Sequence, residues 1–157
     1  MDKASMFEQA RSLIAGAKII MDHDGIIDND LIRKPTTPVI LCCAFAIEVC
    51  LKLLLLDEGS QVANNHNLEE LFKKLSPEKR DLLVEIYLSQ NQDVTREELI
   101  KNINDHKNVF VTWRYAYEKE VVFCSPSFLY SLAYCLISFI ENNYEFERND
   151  NGWLKAV

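Results

Sequence analysis

The only charged residues in the most apolar stretch of this sequence form one closely spaced pair. Between Val39 and Leu56 these residues are Glu48 and Lys52. They are four positions apart, so on a helix they share one face. Burying either charge alone is costly, so we expect the two side chains to pair or to face a polar groove. The pair is therefore either an internal ion pair that fixes packing or one wall of a ligand-binding site.

Two of the three histidines, His66 and His106, are candidates for proton transfer. His66 directly precedes a predicted helix N-terminus, where it could fix the path of the chain or line an anion site of free N–H groups. His106 lies in an apolar stripe that begins at Leu99, and on a continuous helix it would share one face with Phe110 and Arg114 at steps of four. A lone histidine in such a stripe is most often a hydrogen-bonded core residue, so a structural role competes with a catalytic one.

Arg114 is the third candidate, because it lies in the aromatic segment Trp113–Glu118. Aromatic neighbours can stack on a guanidinium and hold it rigid. A rigid Arg114 could bind phosphate, or it could only form an ion pair with Glu118. The candidate ligand-binding residues are therefore the charged and aromatic side chains Glu48, Lys52, Arg114, Tyr117 and Glu118.

Composition narrows the function classes. The 157-residue chain has 17 basic and 24 acidic residues, a net charge of −7, so we expect it to be a poor generic nucleic-acid binder, with a local basic groove left open as an alternative. No C-x-x-C spacing occurs and the cysteine count is odd, so we expect buried thiols in a reducing cytoplasm and neither disulfides nor a metal site. The five cysteines are Cys42, Cys43, Cys50, Cys124 and Cys135.

Apolar spacing and capping residues predict six helices that must position these groups. They cover about 5–21, 38–57, 68–75 and 77–89, a stripe from Thr95 to Trp113, and 126–145, with a loop over 22–38. The predicted caps are Thr37, Asn67, Ser76, Thr95 and Ser125. Two charges inside a membrane span would cost about 2.5–3.5 kcal/mol each, so the apolar segment is predicted to be a core helix. We predict one all-α helical bundle over 1–147 and a C-terminal tail over 148–157.

Three segments resemble, in this order, segments of the HEPN (higher eukaryotes and prokaryotes nucleotide-binding) domain family. Ala46–Leu55 resembles its Glu-x-x-x-Lys helix, and His66–Phe72 resembles its His-Asp-Leu…Leu-Phe segment. Trp113–Glu118 resembles the Arg-Tyr-x-x-Glu segment of some bacterial members. The resemblance spans about residues 7–144. It implies a bundle of about four to six helices that commonly dimerises, so we expect a homodimer.

Many HEPN relatives are metal-independent RNases of toxin–antitoxin, phage-defence or RNA-processing systems. In them an Arg holds the scissile phosphate, and a His a few residues later aids proton transfer during 2′-hydroxyl attack. This sequence departs from that signature, because no His follows Arg114. The departure favours a HEPN-like domain that works by binding RNA, a nucleotide or a cognate operon protein. Separately, we expect a cytoplasmic protein with no cofactor and no membrane contact.

Two alternatives stay open. One is an RNase with a rearranged site, in which Arg114 holds the phosphate and His66 or His106 acts as base or acid. Glu48 and Lys52 would then orient these groups. The other is a helical protein-interaction module without a nucleic-acid role, which the acidic net charge favours.

Overall fold

The computed structural model describes residues 2–23, 26–28, 31–33, 36–61, 64–118, 123–148 and 154–155. Helices dominate this part of the chain, which confirms the predicted all-α bundle. The helices are α1 (Lys3–Asp22), α2 (Thr36–Asp57), α3 (Leu68–Lys74), α4 (Pro77–Gln90), α5 (Arg96–Asp105), α6 (Val109–Arg114) and α7 (Pro126–Asn143), with a 3₁₀ turn at Ala116–Glu118. The strands form two short antiparallel hairpins, β1 (Ile26–Asp28) with β2 (Leu31–Arg33) and β3 (Glu147–Arg148) with β4 (Leu154–Lys155).

Helix α2 is the central rod of the bundle. Buried side chains lie on all of its sides, and α1, α3, α6 and α7 pack against it. Lys3 at the start of α1 contacts Asp57 at the end of α2, so these two helices run antiparallel. Among the described residues, α2 is the one helix long and apolar enough to cross a membrane, but 72% of its apolar stretch is buried inside the protein. This burial agrees with the prediction of a core helix.

The helix starts follow local capping chemistry. The Ser76 and Ser125 hydroxyl groups accept hydrogen bonds from Lys79 N–H and Phe128 N–H, and Thr95 forms a reciprocal capping box with Glu98. These three predicted caps are confirmed. The predicted Thr37 cap is wrong, because α2 begins at Thr36 and includes Thr37 in its first turn.

The predicted helical stripe from Thr95 to Trp113 is interrupted. Helix α5 ends at Asp105, His106 is its C-cap, and α6 starts only at Val109. The Lys107 carbonyl accepts a hydrogen bond from Leu68 N–H over 2.8 Å, so this residue bonds to α3 instead of continuing the helix. The spacing predicts that His106, Phe110 and Arg114 share one continuous helical face. This prediction is wrong, because the helix is broken at residues 106–108.

Two further segments differ from the sequence prediction. The predicted loop over 22–38 contains the β1–β2 hairpin. The last helix ends at Asn143 with Tyr144 as its C-cap, two residues before the predicted end. Part of the predicted tail folds back, because Arg148 pairs with Leu154 and β4 lies beside α1.

A cluster that we call the Asp57 junction joins four helix ends through Lys3, Asp57, Glu58, Lys79 and Tyr144. The Asp57 carboxylate accepts hydrogen bonds from Lys3 Nζ at 3.0 Å, Lys79 Nζ at 3.2 Å and Tyr144 Oη at 2.7 Å. Glu58 accepts from the Ser76 N–H group at 3.1 Å and lies 3.6 Å from Lys79 Nζ. The junction thereby ties the ends of α2 and α7 to the starts of α1 and α4.

The chain leaves α2 through a left-handed residue. Gly59 has a φ of 74°. Its N–H donates to the Leu56 carbonyl at 3.0 Å, and the Ser60 N–H donates to the Leu55 carbonyl at 2.9 Å. This pattern is a Schellman motif, which ends the helix and satisfies two of its last carbonyls.

Candidate functional site

The Glu48 carboxylate lies inside the bundle and is held first by its own helix. Its side chain is 2% exposed, and Lys52 Nζ donates to Oε1 over 2.7 Å. The Lys52 side chain is 14% exposed, so the pair approaches solvent only at its lysine end. The sequence prediction that these two charges pair within the apolar helix is confirmed.

His66 is the second partner of Glu48. Its Nδ1 atom lies 3.0 Å from both Glu48 Oε1 and Oε2, so Nδ1 carries the proton and donates to the carboxylate. The side chain is 43% exposed, and its Nε2 atom makes no hydrogen bond within the described residues. An imidazole held by a carboxylate through one nitrogen presents the other for proton transfer or for hydrogen bonding to a ligand.

The turn before α3 determines where His66 lies. Asn65 Oδ1 accepts the Asn67 N–H at 2.8 Å, and Asn65 Nδ2 donates to Glu70 Oε2 at 2.8 Å. Asn67 Oδ1 accepts the Glu70 N–H at 3.1 Å, so Asn67 is the cap that the sequence predicted. The Glu70 carboxylate does not close the capping box, because the Asn67 N–H bonds to Asn65 instead.

The Leu68–Lys107 backbone hydrogen bond brings a late part of the chain to His66. Lys107 lies between α5 and α6, so this bond holds the start of α6 beside the turn that carries His66. The Phe110 ring centroid lies 6.0 Å from that of His66 and 5.2 Å from that of Phe45, on which it stacks. Phe110 thus connects the histidine to the next part of the site.

Arg114 extends this chain of contacts. Its Cζ atom lies 5.2 Å from the Phe110 ring centroid and 5.5 Å from that of Tyr115. Its Nη2 atom is 3.4 Å from Tyr115 Oη, and no described carboxylate forms an ion pair with it. We call the residues joined by these successive contacts the Glu48 site: Glu48, Lys52, His66, Phe110 and Arg114.

His106, a candidate acid or base in the sequence, lies elsewhere. Its side chain is 1% exposed and packs against Phe123 and Phe128. Nδ1 donates to the Asn102 carbonyl at 2.8 Å, and Nε2 accepts the Ser125 N–H at 2.9 Å. Both nitrogens are engaged, so His106 joins the end of α5 to the start of α7 and has no free nitrogen for a ligand.

Tyr117 and Glu118 do not join the contact chain. Both lie in the exposed 3₁₀ turn after α6, and Tyr117 is 81% exposed. No ion pair forms between Arg114 and Glu118 in the described part of the chain, so the alternative in which Glu118 neutralises Arg114 is not observed. Tyr115 contacts Arg114 in their place.

Sequence reasoning missed two residues of this arrangement. Phe110 was assigned to the core stripe, although its ring links His66 and Arg114. Asn65 was not considered, although an Asn two residues before a capping Asn is a known signal for a side-chain turn.

Metal and thiol chemistry find little support in the described residues. They contain no group of three His, Cys, Asp or Glu side chains that could hold a metal ion. Burial raises the pKa of Cys43 to about 12 and that of Cys124 to about 11, and it raises the pKa of Cys50 as well. Such thiols stay protonated at neutral pH and are poor nucleophiles.

Comparison with known proteins does not assign a function, so the geometry of the Glu48 site is the basis for one. No family model matches the chain, and no curated protein or solved structure matches it either. Function must then be argued from the side chains of the Glu48 site.

Proposed function

We propose that this chain binds a phosphate group of RNA or of a nucleotide at the Glu48 site, as a HEPN-like domain of a defence, toxin–antitoxin or regulatory system. The observation that carries this proposal is the contact chain from Glu48 through His66 and Phe110 to Arg114. Within the described part of the chain, the Arg114 guanidinium has no carboxylate partner and His66 Nε2 makes no hydrogen bond, and both groups contact the Phe110 ring. Phosphate oxygens accept hydrogen bonds from both groups, and arginine matches phosphate bidentately.

The local charge also supports phosphate binding. Among the five residues of the Glu48 site, Lys52 and Arg114 carry two positive charges and Glu48 one negative charge, while the nearby Glu70 carboxylate accepts a hydrogen bond from Asn65; the whole chain has a net charge of −7. So small an excess suits one or two phosphate contacts and not a long nucleic-acid track. We therefore expect modest affinity with a shallow dependence on salt.

Titration of fluorescently labelled single-stranded RNA and of a labelled nucleoside triphosphate tests this function. Arg114→Ala should weaken binding about tenfold or more, because a hydrogen bond to a charged group contributes roughly 1.5–3 kcal/mol. It should also reduce the slope of log K against log salt by about 0.7 if one phosphate contact to a single strand is lost.

Arg96→Ala is the matched control, because Arg96 forms a surface ion pair with Asp81 and lies outside the Glu48 site. It removes the same charge and should leave affinity nearly unchanged. Equal weakening by both substitutions, or no binding by the wild-type protein, would contradict the proposal.

Metal-independent RNA cleavage is a second candidate function, favoured by the Glu48–His66 pair. His66 Nε2 would accept the proton of a ribose 2′-hydroxyl, and the 2′-oxygen would form a bond to the adjacent phosphorus. The bond from phosphorus to the 5′-oxygen would break, that oxygen would take a proton from water, and the protonated His66 would return its proton to the solvent. The products would be a 2′,3′-cyclic phosphate and a 5′-hydroxyl, with Arg114 stabilising the charge on the phosphate.

Incubation of labelled RNA with the protein in EDTA tests cleavage. His66→Ala should lower the rate about 10²–10⁴-fold, the usual contribution of a general base, and a 2′-deoxy substitution at the cleaved position should block the reaction. His23→Ala provides a control at an exposed histidine of α1's C-cap. Cleavage that survives His66→Ala unchanged would assign the activity to another nuclease.

We also propose a cytoplasmic homodimer outside the membrane, with a cognate operon protein as a further partner, on the basis of the HEPN resemblance. The burial of α2 within the bundle supports the soluble location. Sedimentation equilibrium should give twice the chain mass of 18.2 kDa. A single species of monomer mass at all concentrations, or recovery in the membrane fraction, would contradict this part of the proposal.

A further inference from the structure

We propose that Asn65 is the positioning residue of the Glu48 site. Its carboxamide holds the turn in which the His66 imidazole donates to Glu48 and presents Nε2 to the ligand. The inference rests on the proposed function only for the identity of that ligand. Among the described residues, Asn65 makes no hydrogen bond to Glu48 or Arg114, and its side-chain hydrogen bonds go to Asn67 and Glu70.

Both ends of the Asn65 side chain are in use. The Oδ1 atom accepts from the Asn67 N–H, and the Nδ2 atom donates to Glu70 Oε2, each over 2.8 Å. Because the oxygen must accept and the nitrogen must donate, only one orientation of the amide satisfies both partners. The side chain therefore spans His66, with one bond to the residue after it and one to the first turn of α3.

His66 needs such support because packing does not enclose its ring. The side chain is 43% exposed; its hydrogen bonds within the described residues go to the Glu48 carboxylate, and its ring lies tilted against Phe110 at a centroid distance of 6.0 Å. The backbone beyond it is anchored at Leu68, whose N–H donates to the Lys107 carbonyl. Asn65 supplies the anchor on the other side.

Removal of the Asn65 carboxamide opens an alternative for the turn. The Asn67 N–H would lose its acceptor, and the Glu70 carboxylate would lose its donor. These two groups could then bond to each other and complete an ordinary capping box, which would preserve α3 while changing the turn before it. The expected result is a folded protein in which the His66 ring no longer stays on Glu48.

Nitrogen NMR of the histidine rings shows which ring nitrogen of His66 carries the proton, and it needs no ligand. In alkaline buffer, where an imidazole is neutral, the wild-type His66 should carry its proton on Nδ1. Asn65→Ala should shift it towards the Nε2–H tautomer that free imidazole side chains prefer in water. Affinity for single-stranded RNA or a nucleoside triphosphate should fall about fivefold, the equivalent of one hydrogen bond of about 1 kcal/mol.

Asn64→Ala is the matched control, because it removes the same side chain from the exposed neighbouring position. A second test reverses the polarity of the interaction. Asn65→Asp keeps the acceptor for the Asn67 N–H but places a carboxylate against Glu70, so it should also shift the tautomer. Adding Glu70→Gln supplies an amide donor to that carboxylate and should restore the Nδ1–H form and the affinity.

The outcomes separate this inference from the proposed function. If Asn65→Ala and Asn65→Asp both leave the His66 proton on Nδ1, the positioning role is overturned, whatever the protein binds. If the tautomer shifts and the double variant restores it, the positioning role stands even where the wild-type protein binds neither RNA nor nucleotide. In that second case only the proposed function fails.

Discussion

Helix α2 carries two acidic groups that bind lysines, one at its middle and one at its end, and their surroundings differ in one respect. Asp57 accepts hydrogen bonds from Lys3, Lys79 and Tyr144, which come from three other parts of the chain. Glu48 accepts from Lys52 on its own helix and from His66, whose second nitrogen makes no described hydrogen bond. The Asp57 junction is closed, whereas the Glu48 site keeps binding capacity.

This difference separates a structural ion cluster from a candidate site more sharply than charge alone. In the junction each of the four donor groups bonds to a carboxylate of the same protein, so its effect is to hold helix ends together. At the Glu48 site an imidazole nitrogen and the Arg114 guanidinium have no acidic partner among the described residues. A ligand with acceptor oxygens could use both groups. Three predictions, at Lys52, at Asp57 and in acid, test the contrast.

The largest effect is expected at Lys52. Lys52→Ala should lower the free energy of unfolding by about 3–5 kcal/mol, because it removes the lysine charge that offsets the buried Glu48 carboxylate and leaves that carboxylate with the His66 hydrogen bond. Urea denaturation followed by circular dichroism measures this change. Replacing both groups, with Glu48→Leu and Lys52→Met together, should cost much less because no buried charge is left alone.

Lys73→Ala is the control for that experiment. Among these substitutions it should cause the smallest loss in the free energy of unfolding. Lys73 and Glu69 have the same spacing and a 2.5 Å contact, but the Lys73 side chain is 61% exposed. The expected loss is at most about 0.5 kcal/mol. Similar losses for Lys52→Ala and Lys73→Ala would show that Glu48 is not buried in solution.

Asp57→Asn should have the second-largest effect, a loss of about 2 kcal/mol in unfolding free energy. The substitution keeps the shape of the side chain but removes the charge that three donors share, and hydrogen bonds to charged groups contribute roughly 1.5–3 kcal/mol. Phosphate-ligand affinity should stay at the wild-type value. A loss of ligand affinity with no loss of stability would reverse the roles that we assign to the two regions.

The junction should also make stability sensitive to acid. Burial alone would raise the pKa of Asp57, but hydrogen bonds from Tyr144, Lys3 and Lys79 outweigh it and lower that pKa. The pKa of Glu58 is also lowered against the effect of burial, by its interactions with Ser76 and Lys79. Stability from a lowered carboxyl pKa is present above the ordinary value of about 4 and is lost as the pH falls through the lowered pKa. The urea denaturation midpoint should therefore decrease as the pH is lowered below about 4, and it should decrease less in Asp57→Asn than in the wild-type protein. Equal acid sensitivity of both proteins would contradict this account.

Gly59→Ala should cost about 1–2 kcal/mol, because the left-handed conformation at φ 74° disfavours a Cβ atom. Apart from Gly59 and its two chain neighbours, no described residue has an atom within 4 Å of the added Cβ, so the cost comes from the backbone and not from a clash. Gly16→Ala is the matched control in the middle of α1, where the added Cβ also meets nothing and helix propensity improves. Thermal midpoints should therefore move in opposite directions, and a shared direction would contradict the conformational argument.

Much of the fold could be predicted from sequence because helix starts are local. Ser76, Thr95 and Ser125 each bond to a backbone N–H three residues away, so the signal and its effect lie within one turn. The break after α5 was not predictable from the same pattern. Three residues, 106–108, separate α5 from α6. This number is close to the 3.6 residues of one helical turn, so the apolar residues keep their helical spacing in the sequence although the helix itself is broken.

The candidate site could be predicted only in part. Glu48 and Lys52 are neighbours on one helix, so their pairing follows from spacing. The contact of His66 with Glu48 and that of Phe110 with His66 depend on how distant segments pack, which the sequence order does not reveal. The Asp57 junction has the same long-range origin, since it joins Lys3 and Tyr144 across the chain.

The geometry of the Glu48 site depends on the number of residues in the turn between α5 and α6 more than on which residues they are. The Leu68–Lys107 bond uses backbone atoms alone, so many side chains at position 107 are compatible with it. Insertion or deletion of one residue before Val109 would instead rotate α6 by about 100° about its axis. Phe110 and Arg114 would then face another side of the bundle, so this turn should tolerate substitution but not a change of one residue in length.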